Sequence, residues 1–409
     1  MYLRIITTVG KAFLLATVLF LSNKELYAQT GEISGYLPNS DYVTITFKKG
    51  IIAEIKKSEP ATGAKQYISA GLIDTQVNGW AGVSFSEADL STDKVNKITE
   101  ALWKEGVTTY FPTLITIGHE RMVENLKVMA SATKNKNYKS ATPGFFLEGP
   151  YISPDDGFRG AHNKDHIRNP SWSEFSQYIK ASDNKIAMIG VAPEKEGAMH
   201  FIDQCIKNDI YVSLVHHNAS ASEVNEAVNR GATVSTHLGN GCANMIHRHN
   251  NPLWSQLSND GLVPSIIGDG HHLRPEEINT FYKVKGIDNI FLVSDATKLS
   301  GMPPGIYNWA GNEVEMTESG MLKIAKLGVL AGASFPIRTG IINVMKFTGC
   351  SLEEAVTMAT KTPAKVFGLE DRGEIKVGLR ADFAVFSLEK DQLKVHKTYV
   401  GGQMVYAAN

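Results

Sequence analysis

The stretch "GLIDTQVNGW", Gly71 to Trp80, decides how the chain is read. Leu72 and Ile73 open like a buried strand, then run into Asp74, Gln76 and Asn78 before Gly79 stops the element. A strand that finishes by presenting an acid and two amides finishes at something. Seven further short apolar runs follow it: "GVTTYFPTLI", "TPGFFLEGP", "KIAMIGVAPE", "IYVSLVHHNAS", "ATVSTHLGN", "LVPSIIGDGHH" and "NIFLVSDAT". Amphipathic helical segments lie between several of them, as at 222–230 and 351–360. Strand alternating with helix implies a parallel sheet. Eight such units over about 300 residues predict an α/β chain, a closed (β/α)8 barrel. The other arrangement, an open doubly wound sheet, would carry a GxGxxG phosphate loop after its first strand, and none is there.

The flanks have a different rhythm. "YVTITFKKGIIAEIKKS", Tyr42 to Ser58, alternates around Lys49-Gly50 and reads as a hairpin. At the far end, "ADFAVFSLEKDQLKVHKTYVGGQMVY", Ala381 to Tyr406, reads as three strands with two turns. Both ends together predict one small sheet, over 29–70 and 373–409, around a barrel at 71–372. Before them, Arg4 and Lys11 precede an apolar run, Ala12 to Ser22, and a small residue at Ala28. This is the layout of a secretory signal over 1–28, too short for a membrane span. The chain is expected to be exported or periplasmic if that signal is used, and cytoplasmic otherwise.

With 409 residues, a net charge of −1 and a pI near 6.9, the chain lacks the basic excess of a nucleic-acid binder. Cys205, Cys242 and Cys350 show neither paired spacing nor a CxxC motif, so they read as free thiols.

Four of the strand candidates end in groups able to bind a metal or move a proton. Glu148 closes "FFLE", His216 "VSLVH", His237 "TVSTH" and Asp295 "FLVSD". In a barrel, the carboxyl ends of the strands form one face. A lone His at a strand end is more often a satisfied polar residue, and a lone Asp a helix cap. Four at four separate strand ends are a stronger signal. One carboxylate and two imidazoles make a three-ligand zinc set with a position open for water. Asp295 is then free to take and return the proton.

In order, "IDTQVNG", "PTLIT", "FLEGPYISPDDGFRGAHN", "VAPE", "HHNAS", "THLGN", "IGDGHH", "LVSDAT" and "GVLAGAS" resemble the N-acetylglucosamine-6-phosphate deacetylases of the amidohydrolase superfamily. The resemblance covers nearly the whole chain after the leader. It implies the barrel with a sandwich built from both termini, and hydrolysis of the acetamide of an amino-sugar phosphate. It implies one divalent ion per subunit, Zn2+ before Fe2+ or Mn2+, on Glu148, His216 and His237, with Asp295 as acid and base. It places Ala161, His162, Asn240, Arg248, His272, Leu330, Ala331 and Gly332 at the substrate, His162 near the acetyl carbonyl and Arg248 at the phosphate. It also implies a homodimer.

The opening stretch now has an answer. Superfamily members with two metals carry His-x-His where this chain has Gln76-Val77-Asn78. Neutral amides are weak zinc ligands beside imidazole, so one tightly held ion is expected, with Gln76 and Asn78 as hydrogen-bonding supports. Two departures bear on the substrate. Val215-His216-His217 replaces the family's Gly-His-Ser, and "GCANMIHRHNNPLW" replaces its usual Ala-Met-Pro continuation. An exported relative acting on an unphosphorylated N-acetyl sugar, a cell-wall fragment or an N-acyl amino acid is the alternative reading. A non-catalytic binding barrel is disfavoured by the joint presence of Glu148, His216, His237 and Asp295.

Overall fold

The computed structural model describes residues 30–60 and 62–408. The leader read at 1–28 lies outside the described residues. Eight parallel strands pair in chain order: Leu72–Val77, Val107–Leu114, Phe145–Leu147, Ile186–Val191, Tyr211–Leu214, Val234–Ser235, Val263–Ile267 and Phe291–Val293. A parallel bridge between Val77 and Ala296 joins the last to the first. The Ser294 amide donates to Asp74 Oδ1 at 3.0 Å across the same seam. These strands are covered on both faces, by helices outside and by side chains within. That is why they read as short apolar runs rather than as alternating ones. All eight residues of Val107–Leu114 are buried.

The helices between the strands show the signals of their sequence. Ser220 and Glu223 form a capping box at Ala221–Asn229, and Ser351 and Glu354 form one at Leu352–Thr357. Phe111, Phe146, Met188, Val234, Ile267, Phe291 and Val293 make one apolar cluster with Phe367, from just beyond the helix Lys361–Val366. This cluster fills one end of the barrel, and the other end is left for polar groups.

The two termini build one seven-stranded mixed sheet. Its order is Gln403–Ala407, Gln392–Val400, Phe383–Glu389, Tyr67–Ala70, Gly31–Tyr36, Tyr42–Lys48 and Ile51–Lys57. The Lys49-Gly50 turn takes positive φ at both residues, as a two-residue hairpin requires. Phe47 and Phe383 stand three strands apart in this order, about 14 Å in a flat sheet. Their rings are 5.9 Å apart, so the sheet curls until its halves face each other. The two ends do form one sheet, and the sandwich that the resemblance implies is this continuous sheet folded over, closed on Val43, Ile45, Ile68 and Val385.

One element was not expected. Between the last barrel strand and the helix Ile337–Thr348 stands a four-stranded antiparallel sheet: Gly305–Trp309, Asn312–Met316, Leu322–Ile324 and Val329–Leu330. It belongs to the loop after the eighth barrel strand, so it rises beside the strand ends. No described helix is long and apolar enough to cross a membrane.

Candidate active site

At the carboxyl ends of the strands lies a cavity of about 240 Å3. Glu148, His162, His216, His237 and Asp295 all line it. Three of them owe their aim to unusual backbone. His216, His237 and Asp295 have φ of 48°, 35° and 52°, left-handed values that non-glycine residues seldom adopt. Each follows a barrel strand, and the reversal turns its side chain into the barrel mouth. Such strain persists where surrounding packing enforces it, and functional sites are where it collects. Gly241, at φ 57°, lets the chain pass closely, because a Cβ there would stand 2.5 Å from His216 Nδ1.

Glu148 is the hub. His237 Nε2 is 2.9 Å from its Oε1, His216 Nε2 3.3 Å and His162 Nε2 3.7 Å. Burial pushes the Glu148 carboxyl up, but N–H groups of the surrounding imidazoles, His162 first, outweigh it and hold the group well below the ordinary carboxylate range. Asp295 is the opposite case. Burial first, and the Glu148 charge second, push it up to about 8. Two carboxylates competing in one buried site are eased by a cation.

The hydrogen bonds fix which nitrogens are free. His216 Nδ1 lies 2.7 Å from the Phe158 carbonyl oxygen, which can only accept, so Nδ1 carries the proton. Burial lowers the His216 pKa, so the ring is neutral and its bare Nε2 faces Glu148. A lone pair facing a carboxylate at 3.3 Å is repulsive unless a cation lies between them. His237 adds a buried Nδ1 with no partner. His162 is arranged the other way. The Thr116 amide donates to its Nδ1 at 3.3 Å, so in the neutral ring the proton sits on Nε2. The donor set therefore fits a divalent metal ion. Glu148, His162 and His216 make the mutually close trio, with ligand atoms within 4.8 Å of one another, and His237 touches the same carboxylate oxygen.

Gln76 and Asn78 turn to Asp295. Gln76 Nε2 and Asn78 Nδ2 both donate to its Oδ1, at 2.9 and 2.7 Å. Oδ2 is left as the basic oxygen of Asp295.

Around this centre, Ala161, Asn240, His272, Leu330 and Gly332 also line the cavity. Asp269 Oδ2 is 2.8 Å from His272 Nδ1, leaving Nε2 for the cavity. His271 instead lays its ring against Phe335 and reaches the Ser319 carbonyl. His217 points away, buried and pushed down to about 4 by burial, with the Ala219 amide on its Nδ1. Two residues read from sequence stand outside. Ala331 is buried in the apolar cluster behind the wall. Arg248 is exposed, in a turn where its carbonyl accepts from Trp254 Nε1. Sequence reading missed Ile115, Thr116 and Trp309; the alternating "GIYNWAGNEVEM" around Ala310-Gly311 is the hairpin signal that places Trp309.

A β/α barrel whose strand ends gather this carboxylate and imidazole cluster beside a proton-accepting acid is a metal-dependent hydrolase. A model of the amidohydrolase family matches residues 67–405. An N-acetylgalactosamine-6-phosphate deacetylase of Escherichia coli O157:H7 is 30% identical over 358 residues, 87% of this chain and 92% of that one. An N-acetylglucosamine-6-phosphate deacetylase of Bos taurus is 31% identical over 358 residues, 83% of each chain. The crystal structure of an N-acetylglucosamine-6-phosphate deacetylase from Pasteurella multocida superposes with a TM-score of 0.82 at 28% identity, covering 92% of this chain and 99% of that one. The chain belongs to the amidohydrolase family and, within it, to the N-acetylglucosamine-6-phosphate deacetylases.

Proposed function

We propose that this protein hydrolyses the acetamide of N-acetylglucosamine-6-phosphate, giving glucosamine-6-phosphate and acetate. The observation that carries the reading is the split of protons among the imidazoles: His216 offers a bare nitrogen beside Glu148, and His162 offers an N–H. Glu148, His216 and His237 would hold the ion. A bound divalent metal, Zn2+ before Fe2+ or Mn2+, supplies Lewis acidity that acidifies water and polarises a carbonyl.

The remaining steps belong to the chain's own groups. His162 Nε2–H donates to the carbonyl oxygen as negative charge grows on it. Asp295 takes the proton of the attacking water at Oδ2 while the new C–O bond forms. It then hands that proton to the nitrogen as the C–N bond breaks, so the sugar leaves as a neutral amine. His272, Asn240, Leu330 and Gly332 would hold the sugar. Arg248 lies outside the cavity of a single chain, so its contact with a phosphate would need a second copy, which fits the homodimer expected for this family.

Acetate release from zinc-loaded protein tests the reading, with N-acetylglucosamine-6-phosphate, its galactosamine epimer and unphosphorylated N-acetylglucosamine compared. Strong preference for the first is the expected result. Equal rates with and without phosphate would overturn the sugar-phosphate assignment and favour the unphosphorylated alternative, which the exposed position of Arg248 makes worth testing.

A further inference from the structure

Beside the reaction cavity lies a second one of about 370 Å3. Among the described residues, Ile115 and Trp309 line both. We infer that Ile115 and Trp309 form an acyl wall, which seats the methyl of the substrate's acyl group and bars longer chains from the second cavity. The inference rests on the amide-hydrolase reading above and goes beyond it by naming what sets the acyl length.

The geometry begins at His162, whose N–H marks the carbonyl end of the substrate. Its Nδ1 is 2.8 Å from Thr116 Oγ1 and accepts from the Thr116 amide. Ile115 is the preceding residue, so the group that meets the carbonyl oxygen and the apolar partition share one short piece of backbone. Ile115, Ala161, Trp309 and Val329 belong to a single apolar cluster, whereas Asn240 and His272 give the same cavity its polar side. A sugar offers hydroxyls and an acetyl group offers a methyl, so the methyl belongs in the apolar corner.

The wall is held in place. Ile115 donates its amide to Ser86 Oγ at 3.0 Å, and Trp309 stands on a strand of the extra four-stranded sheet. Both residues are about 5% exposed and are anchored in one apolar cluster with Leu299, Val314 and Leu322. Behind them the second cavity has apolar lining at Ala88, Ile117 and Ala310, which a methylene chain can contact.

The test compares N-acetyl, N-propionyl and N-butyryl forms of the same amino-sugar phosphate in wild type, Ile115→Val, Ile115→Ala, and Ile115→Ala combined with Ala88→Phe. The quantity read is the kcat/KM ratio of longer acyl to acetyl within each protein, so an overall loss of rate does not enter. Ile115→Ala should raise the butyryl ratio at least about 10-fold, since each methylene accommodated in an apolar pocket is worth roughly 10- to 200-fold. Ile115→Val should raise the propionyl ratio by less, and it carries the test if the alanine variant does not fold. Refilling the second cavity with Ala88→Phe should return the ratio toward wild type. Unchanged ratios in both Ile115 variants, or a gain that survives Ala88→Phe, would overturn the acyl wall. Wild type that releases no acetate at all would overturn the underlying reading instead.

Discussion

Asn78 donates its side-chain amide to Asp295 Oδ1 at 2.7 Å, joining residues 217 positions apart across the closing seam of the barrel. Gln76 adds a second donor to the same oxygen at 2.9 Å. The amides that replace the superfamily's His-x-His thus orient the acid that moves the proton. Asn78→Ala should lower kcat roughly 10- to 100-fold with little change in KM, the range for losing a hydrogen bond to a charged group. Steady-state kinetics decide it, and a rise in KM alone would assign Asn78 to substrate binding.

Asp295→Asn keeps the size of the side chain but removes the proton acceptor. Turnover should fall by about 10²- to 10⁴-fold. Metal content by elemental analysis should be retained, because Asp295 is not among the proposed ligands. Near-normal turnover would place the base elsewhere.

One ion per chain is expected. Chelation should abolish activity and lower the melting temperature, since a ligand that binds only the folded state stabilises it. Zn2+ should restore both. His216→Ala should lose the ion, whereas His162→Ala should keep it and lose rate. Two equivalents retained through dialysis, or loss of metal in His162→Ala, would require a different ligand set.

Asp74 gives a pH signature of its own. Burial pushes it up to about 6 from the ordinary 3.8, against the hydrogen bonds from Ser294. A pKa raised on folding means that the folded state binds the proton more tightly. The stability linked to Asp74 is therefore full below about pH 3.8 and is lost as the pH rises through 6. Asp74→Asn should then be more stable relative to wild type at pH 8 than at pH 4.5, by roughly 2 kcal/mol, since part of the linkage is already lost by pH 4.5. Melting curves at the two pH values check it; a pH-independent difference would mean that Asp74 shares the pKa of the unfolded chain.

Much of the fold was legible, for a physical reason. A barrel strand buried on both faces must be short and apolar, so eight such runs stand out, each bounded by turns or helix caps. The curled terminal sheet announced itself through alternation and the Lys49-Gly50 turn. The sheet over 305–330 escaped because its strands are only two to five residues long and lie inside the loop after the eighth barrel strand, where no extra sheet is needed to close the barrel. Arg248 shows the limit of spacing: its distance from His237 in the chain matched the family pattern, yet the intervening turn leaves it exposed outside the cavity.

The sequence by itself determined which chemical groups the protein has and on which face they gather. Parallel strands in a closed barrel all end at one rim, so Glu148, His216, His237 and Asp295 had to meet there. The tertiary structure alone decided what each group can do. The proton on His216 Nδ1 depends on the carbonyl of Phe158, the proton on His162 Nε2 on the amide of Thr116, and the free oxygen of Asp295 on two amides from the opposite end of the chain. Hydrogen bonds act over about 3 Å, and only folding brings such distant residues within that reach.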